Sequence, residues 1–276
     1  MVLRSQQRSL LLTLPLTGFL CVFYAYPVLA MLLRSVQPGV WNFDAFTELA
    51  GSGIFWRVMD ITLEVSGIVT ACCLLLAVPL AYWLARMPIG RANLLMILVL
   101  IPFWTSILVR SYAWMALLER HGVINNALMA LHLVPRPVKL LNTRFSVCLA
   151  MVHVLLPFMV LPIYTTLRSM DWRLVRAAES LGSGPLATLR QVVLPLARPG
   201  IAAGVILVFT LSIGFYITPV LVGASSDVMI SILINDQVGV LNWPAASAMA
   251  AVLLALVLLI TTVLSRLIGA KTLVPS

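Results

Sequence analysis

Six apolar stretches, residues 10–33, 61–85, 92–118, 145–167, 201–222 and 245–267, limit what this chain can fold into more than any other feature. Each is long enough for a bilayer-spanning helix, which needs roughly 20 mostly apolar residues at about 1.5 Å of rise per residue. With 62% of its 276 residues hydrophobic and 10% charged, the chain has too few charges to clothe a water-soluble domain of this size. The expected fold is an all-α polytopic membrane protein with six transmembrane helices in a single domain, residues 1–276. Arg4 and Arg8 precede the first stretch as they would in a signal peptide. Its apolar run exceeds the roughly 7–15 residues of a signal core, so it reads as an uncleaved anchor.

The charges between the stretches set an orientation. With a cytoplasmic N-terminus, Arg4, Arg8, Arg86, Arg91, Arg168, Arg173, Arg176, Arg190, Arg198, Arg266 and Lys271 lie inside, against only Asp171 and Glu179. The outer connections carry bases and acids in equal number, and the two charges within spans, Glu64 and Arg110, also cancel. The whole net charge of +9 then sits on one side, as the positive-inside rule requires, with both termini cytoplasmic. The basic balance therefore speaks of topology and gives no support to nucleic-acid binding. Cys21, Cys72, Cys73 and Cys148 all lie in apolar stretches without metal-ligand spacing, and read as small buried side chains. No G-x-x-x-x-G-K-[ST] phosphate loop occurs, so nucleotide hydrolysis by that route is not expected of this chain.

One connection differs from the rest. Residues 168–200, which include "RAAESLGSGPLATLRQVVLPLARPG", mix charge, glycine and proline between the fourth and fifth spans. Asp171 is a fitting N-cap, and Leu174, Ala177, Ala178 and Leu181 recur with the period of an amphipathic helix that Gly182 would end. Pro185 suits the first turn of a second helix carrying Leu186, Leu189 and Val193, which Pro195 and Pro199 would close. Two spans can be joined by far fewer residues, so a helix–turn–helix here reads either as a helix lying in the headgroups or as a docking knob for a cytoplasmic partner.

This segment resembles the EAA loop of binding-protein-dependent ABC importer permeases: Ala177, Ala178, Gly182, Leu194, Pro195, Pro199 and Gly200 match, and Arg176 stands where that family usually has Glu. "VPLAYWLARMPIGRANLLMILVLIPFWTSILVRSYAWMALLERHGVINNAL", "LLPFMVLPIYTTL" and "NWPAASAMA" are similar to the spermidine/putrescine branch, in particular the first of its two paired permeases. The resemblance implies the type I importer permease (MetI-like) fold and a non-catalytic membrane subunit of an inner-membrane transporter. It also implies a second permease, two ATP-binding subunits that use ATP and magnesium, and a periplasmic solute-binding protein. Arg176, Ala177, Ala178, Glu179, Leu181, Gly182 and Pro185 would couple the ATPase to the spans.

For the solute path, Glu64 and Arg110 are the charges within spans and both fall near the outer surface if the spans are straight, where they could pair or snorkel. Trp104, His153, Tyr164, Phe215 and Tyr216 lie nearer mid-membrane. Aromatic faces attract amines. His153 reads as a hydrogen bond between helices, and Gly214 and Pro219 would allow a break beside a cavity around Phe215 and Tyr216. A polyamine path would be expected to offer carboxylates, and Glu64 alone does so within the spans. Import of aminoethylphosphonate, an opine-like compound or ferric ion stays open, as does an ion-coupled carrier acting alone.

Overall fold

The computed structural model describes residues 15–36 and 43–267. The first five residues of the expected span 10–33, with Arg4, Arg8 and Lys271, lie outside the described residues. Helices, in chain order, are α1 (Pro15–Arg34), α2 (Asp44–Gly51), α3 (Gly53–Arg86), α4 (Ile89–Trp104), α5 (Ile107–Leu118), α6 (Val123–Ala130), α7 (Arg144–Ser169), α8 (Arg173–Ser180), α9 (Pro185–Ile213), α10 (Ile217–Val222), α11 (Ile230–Gly239) and α12 (Trp243–Leu267). By length and composition α1, α3, α7, α9 and α12 can each cross a membrane.

The chain divides into two compact units. The first comprises residues 1–56 with 233–255. Within it, α1 carries a π-helical stretch at Cys21–Ala25, the Arg34 guanidinium lies 5.3 Å from the centre of the Trp243 ring, and the Trp56 indole donates to the Ala50 carbonyl at 2.9 Å. The exposed Phe19, Phe23, Leu29 and Leu33 give α1 the apolar exterior of a helix that faces lipid.

The second unit, residues 57–232 with 256–276, holds the main core. Along α3, Val69, Cys73, Ala77 and Ala81 recur every four residues and are fully buried, so a ridge of small side chains runs down one side. The helix most enclosed is α7, with Ala150, Met151, Leu155, Met159, Val160 and Ile163 in the same cluster. Small residues also set the distance between α7 and α9. A Cβ added at Gly200 would meet the Pro162 carbonyl and, at 2.5 Å, the Thr166 hydroxyl; one at Gly204 would meet the Met159 sulfur at 2.7 Å. The G-x-x-x-G spacing thus lets the two backbones approach closely, the device that drives helix association where lipid removes the hydrophobic incentive.

Two expected elements differ. The stretch 92–118 is not one straight helix: α4 stops at Trp104, α5 starts at Ile107, and the segments bend by 96°. Thr105 and Ser106 adopt extended backbone (ψ 140° and 137°), and Thr105 turns its hydroxyl back to the Pro102 carbonyl at 3.2 Å, satisfying one group at the break. The depth assigned to Arg110 from a straight span therefore does not hold. Conversely, Pro195 and Pro199 do not close a helix: α9 runs unbroken from Pro185 to Ile213. A π-helical turn at Leu189–Val193 precedes Pro195, which sits at the start of the regular helix that follows, where its missing N–H costs least.

Candidate functional site

The polar connection between α7 and α9 folds as a compact hairpin. Asp171 Oδ1 accepts from the Arg173 amide at 2.9 Å, which starts α8. At its end, Ser183 N–H donates to Ala178 O and Gly182 N–H to Glu179 O, both at 3.0 Å, closing a Schellman turn. Gly182 takes φ +86°, a left-handed conformation in which any Cβ is strained, even though the space beside it is open. Pro185 then opens α9, and the Thr188 hydroxyl bonds Ser183 Oγ at 3.2 Å across the turn.

A helix advances about 100° per residue, so α8 has two distinct sides. Trp172, Val175, Arg176 and Glu179 form one; Val175 is buried, Trp172 lies 6.0 Å ring to ring from Tyr82, and Glu179 stands 3.6 Å from Arg86. Leu174, Ala177, Ala178 and Leu181 form the other. Leu174 is 50% exposed, Leu181 is 89% exposed, and Leu186 beyond the turn is 66% exposed. The expected amphipathic face exists, but it turns outward. Three exposed leucines around a rigid turn form an apolar surface that the other described residues do not cover.

The residues expected along the path separate into groups. Arg110 and Phe215 meet in a cavity of about 230 Å³, whose walls include Phe103, Leu155 and Phe158. This cavity lies where two helices are interrupted, at Thr105–Ser106 and at Gly214–Tyr216. Phe103 and Phe158 pack 4.6 Å apart, and the buried Arg110 Nε has no hydrogen-bond partner among the described residues. Trp104, next to Phe103, is 73% exposed and outside the cavity lining; Tyr164 is half-buried on α7, and Tyr216 is half-buried at the start of α10. The Trp114 indole donates to His153 Nδ1 at 3.2 Å, joining α5 to α7.

Glu64 does not pair with Arg110. Its carboxylate binds Arg144 at 2.6 Å, and Arg144 also binds Asp227 at 2.8 and 3.1 Å. Nothing in the sequence points to Arg144 or Asp227, because the three charges lie about 80 residues apart in succession and converge only in the fold. Beside them a capping box closes the start of α7: Thr143 Oγ1 accepts from the Ser146 amide, and Ser146 Oγ accepts from the Thr143 amide. The Asn142 amide and Ser146 hydroxyl both donate to the Val222 carbonyl at the end of α10. Among the described residues, no His, Cys, Asp or Glu cluster could hold a metal ion.

Residues 77–274 match the model of the family described as binding-protein-dependent transport system inner membrane component. The chain belongs to that family. This permease is 33% identical over 236 residues to the spermidine/putrescine transport system permease protein PotB of Escherichia coli (strain K12), covering 84% of this chain and 86% of the relative. PotB of Haemophilus influenzae is 32% identical, with coverage of 90% and 84%. The inner membrane ABC transporter permease protein YdcU of E. coli is 34% identical, with coverage of 94% and 88%. A solved bacterial alginate ABC transporter, in complex with an alginate pentasaccharide-bound periplasmic protein, has a chain that superposes with a TM-score of 0.82 at 19% identity, covering 98% of this permease and 97% of that chain. That likeness concerns the fold. The permease is thus a multi-pass, non-catalytic inner-membrane subunit of an ABC transporter.

Proposed function

We propose that this permease forms the transmembrane path of an ATP-driven importer for a polyamine or related amine, together with a second permease, two ATP-binding subunits and a periplasmic solute-binding protein. Both termini and the α8 hairpin lie on the cytoplasmic side. The observation that carries the coupling role is the outward apolar face of Leu174, Leu181 and Leu186 around a left-handed glycine. The polyamine assignment rests on the similarity to permeases named for spermidine and putrescine.

ATP and magnesium act in the ATP-binding subunits, where the nucleotide supplies the energy. As those subunits close, the α8 hairpin moves with them. Because α7 and α9 touch backbone to side chain at Gly200 and Gly204, the push tilts them as one body. The cavity between the two helix interruptions then changes access. Its aromatic walls, Phe103, Phe158 and Phe215, offer rings to an ammonium, and the Arg110 guanidinium in the same lining opposes one as a like charge. Glu64 and Asp227, held by Arg144, leave one net negative charge at the end of α7 opposite the hairpin.

The test is ATP hydrolysis by the assembled complex in vesicles, with the binding protein and a panel of spermidine, putrescine and aminophosphonates. Stimulation by a polyamine, with its uptake, is the expected outcome. Stimulation by aminophosphonate alone would remove the polyamine assignment, and uptake by this chain without any ATP-binding subunit would remove the importer reading.

A further inference from the structure

The inner side of α8 borders a cleft that the docking face leaves open. Its volume is about 690 Å³, within the roughly 300–1,000 Å³ of small-ligand sites, and its walls include Arg86, Arg168, Trp172, Val175, Arg176 and Glu179. Three guanidinium groups face one carboxylate, and that carboxylate is only loosely engaged, at 3.6 Å from Arg86. Arg86 lies over two rings, 5.2 Å from the centre of Tyr82 and 5.8 Å from that of Trp172. Arg168 is fixed by donating one nitrogen to the Ala85 and Met87 carbonyls at 3.0 and 2.9 Å. The Arg176 guanidinium has no ion-pair partner among the described residues. A cleft with this excess of fixed positive charge calls for an anion.

Depth identifies the anion. Arg86 ends an uncharged run over residues 65–85, and Arg168 ends another over residues 145–167. At about 1.5 Å per residue each run spans roughly the 30 Å of hydrocarbon, which places both guanidinium groups at the level of the lipid phosphates. Trp172 and Tyr82 are the residue types that settle at that level. A protein docked on Leu174 and Leu181 sits on the opposite side of α8, some 180° round the helix, and leaves this cleft facing the membrane.

We propose that the cleft binds the phosphate of an anionic phospholipid headgroup between Arg86, Arg168 and Arg176, and so ties α8 to the membrane surface. Basic pockets between transmembrane helices on the cytoplasmic side suit such headgroups. Its consequence for transport rests on the reading of α8 as the coupling element; the binding itself does not.

The experiment places the assembled transporter in phosphatidylcholine bilayers with or without phosphatidylglycerol, and counts retained phosphatidylglycerol by native mass spectrometry. Wild type retains it, and Arg86→Gln and Arg176→Gln each lower retention about fivefold, the weight of roughly one basic residue near a membrane surface. Arg86→Lys and Arg176→Lys keep most of it, which separates lost charge from lost folding, and Arg190→Gln, outside the cleft, changes nothing. Equal retention by wild type and both Gln variants overturns the proposal. Displacement of the lipid by free glycerol phosphate at similar concentration overturns it in favour of a soluble ligand. A cross-link from Arg176→Cys to the ATP-binding subunit in place of lipid overturns it in favour of an acidic protein segment. Because lipid is counted whether or not transport is coupled, failure of the importer reading would leave this count intact.

Discussion

The two ends of α7 are built in opposite ways. At its start, a capping box, two bonds to the Val222 carbonyl and the Glu64–Arg144–Asp227 cluster fix the helix to α3, α10 and the segment before α11. At its finish, the chain passes into a hairpin whose Leu174, Leu181 and Leu186 are exposed and whose turn depends on a single left-handed residue. A helix locked by charges at its start, and tied at its finish through Arg168 to the Ala85 and Met87 carbonyls before it passes into a hairpin with an exposed face, can act as a lever. The locked end supplies the pivot, and the exposed end awaits the partner that moves it.

Four substitutions test that contrast. The largest effect is expected at Gly200→Val, which strikes between pivot and handle. The added atoms collide with the Pro162 backbone and Thr166, and overpacking of this kind costs about 3 kcal/mol. Loss of folded protein in detergent, read as a fall in Tm, checks it; an unchanged Tm would mean that α7 and α9 are not welded there. Arg144→Gln comes next, because it strands a mostly buried Asp227 carboxylate. About 1–2 kcal/mol is expected, discounted for the exposure of Glu64 and smaller in high salt. Melting with and without salt reads both parts.

At the handle, Gly182→Val forces a β-branched residue into φ +86°, a cost of about 1–2 kcal/mol. The expected phenotype is uncoupling: the complex still assembles, but solute no longer raises ATP hydrolysis. Intact coupling would show that the turn does not transmit force. The smallest effect on stability is expected at Leu181→Asp, within about 0.5 kcal/mol because the side chain is already in water. Its effect on co-purification of the ATP-binding subunit should be large, and retention of that subunit would remove the leucine face from the interface.

Much of the handle is legible in the sequence because its signals are local. Asp171, the apolar period through Leu181, Gly182 and Pro185 act within a turn or two of where they stand, so a short window contains their physics. The pivot is not legible in that way. Arg144 looks like any interfacial arginine until the fold brings Glu64 and Asp227 to it, and Glu64 looks like a partner for Arg110 only while α4 and α5 are taken as one straight helix. The break at Thr105–Ser106 carries no glycine, and Pro102 alone does not announce a 96° bend; α7 holds Pro157 and Pro162 without stopping. The interruption at Gly214–Tyr216, by contrast, follows from a glycine and the nearby Pro219, and the sequence does point to it.

The π-helical turn at Leu189–Val193 has a consequence of its own. A π turn is one residue wider than its α counterpart, and each residue in a helix is worth about 100° of rotation. This turn therefore sets the angular phase between Leu186 at one end of α9 and Gly200 and Gly204 further along. Deleting one residue from it would leave a continuous helix yet swing Leu186 about a quarter-turn relative to Gly200 and Gly204. The chain would keep both its surfaces and lose their alignment, like a key cut correctly but mounted askew on its shank.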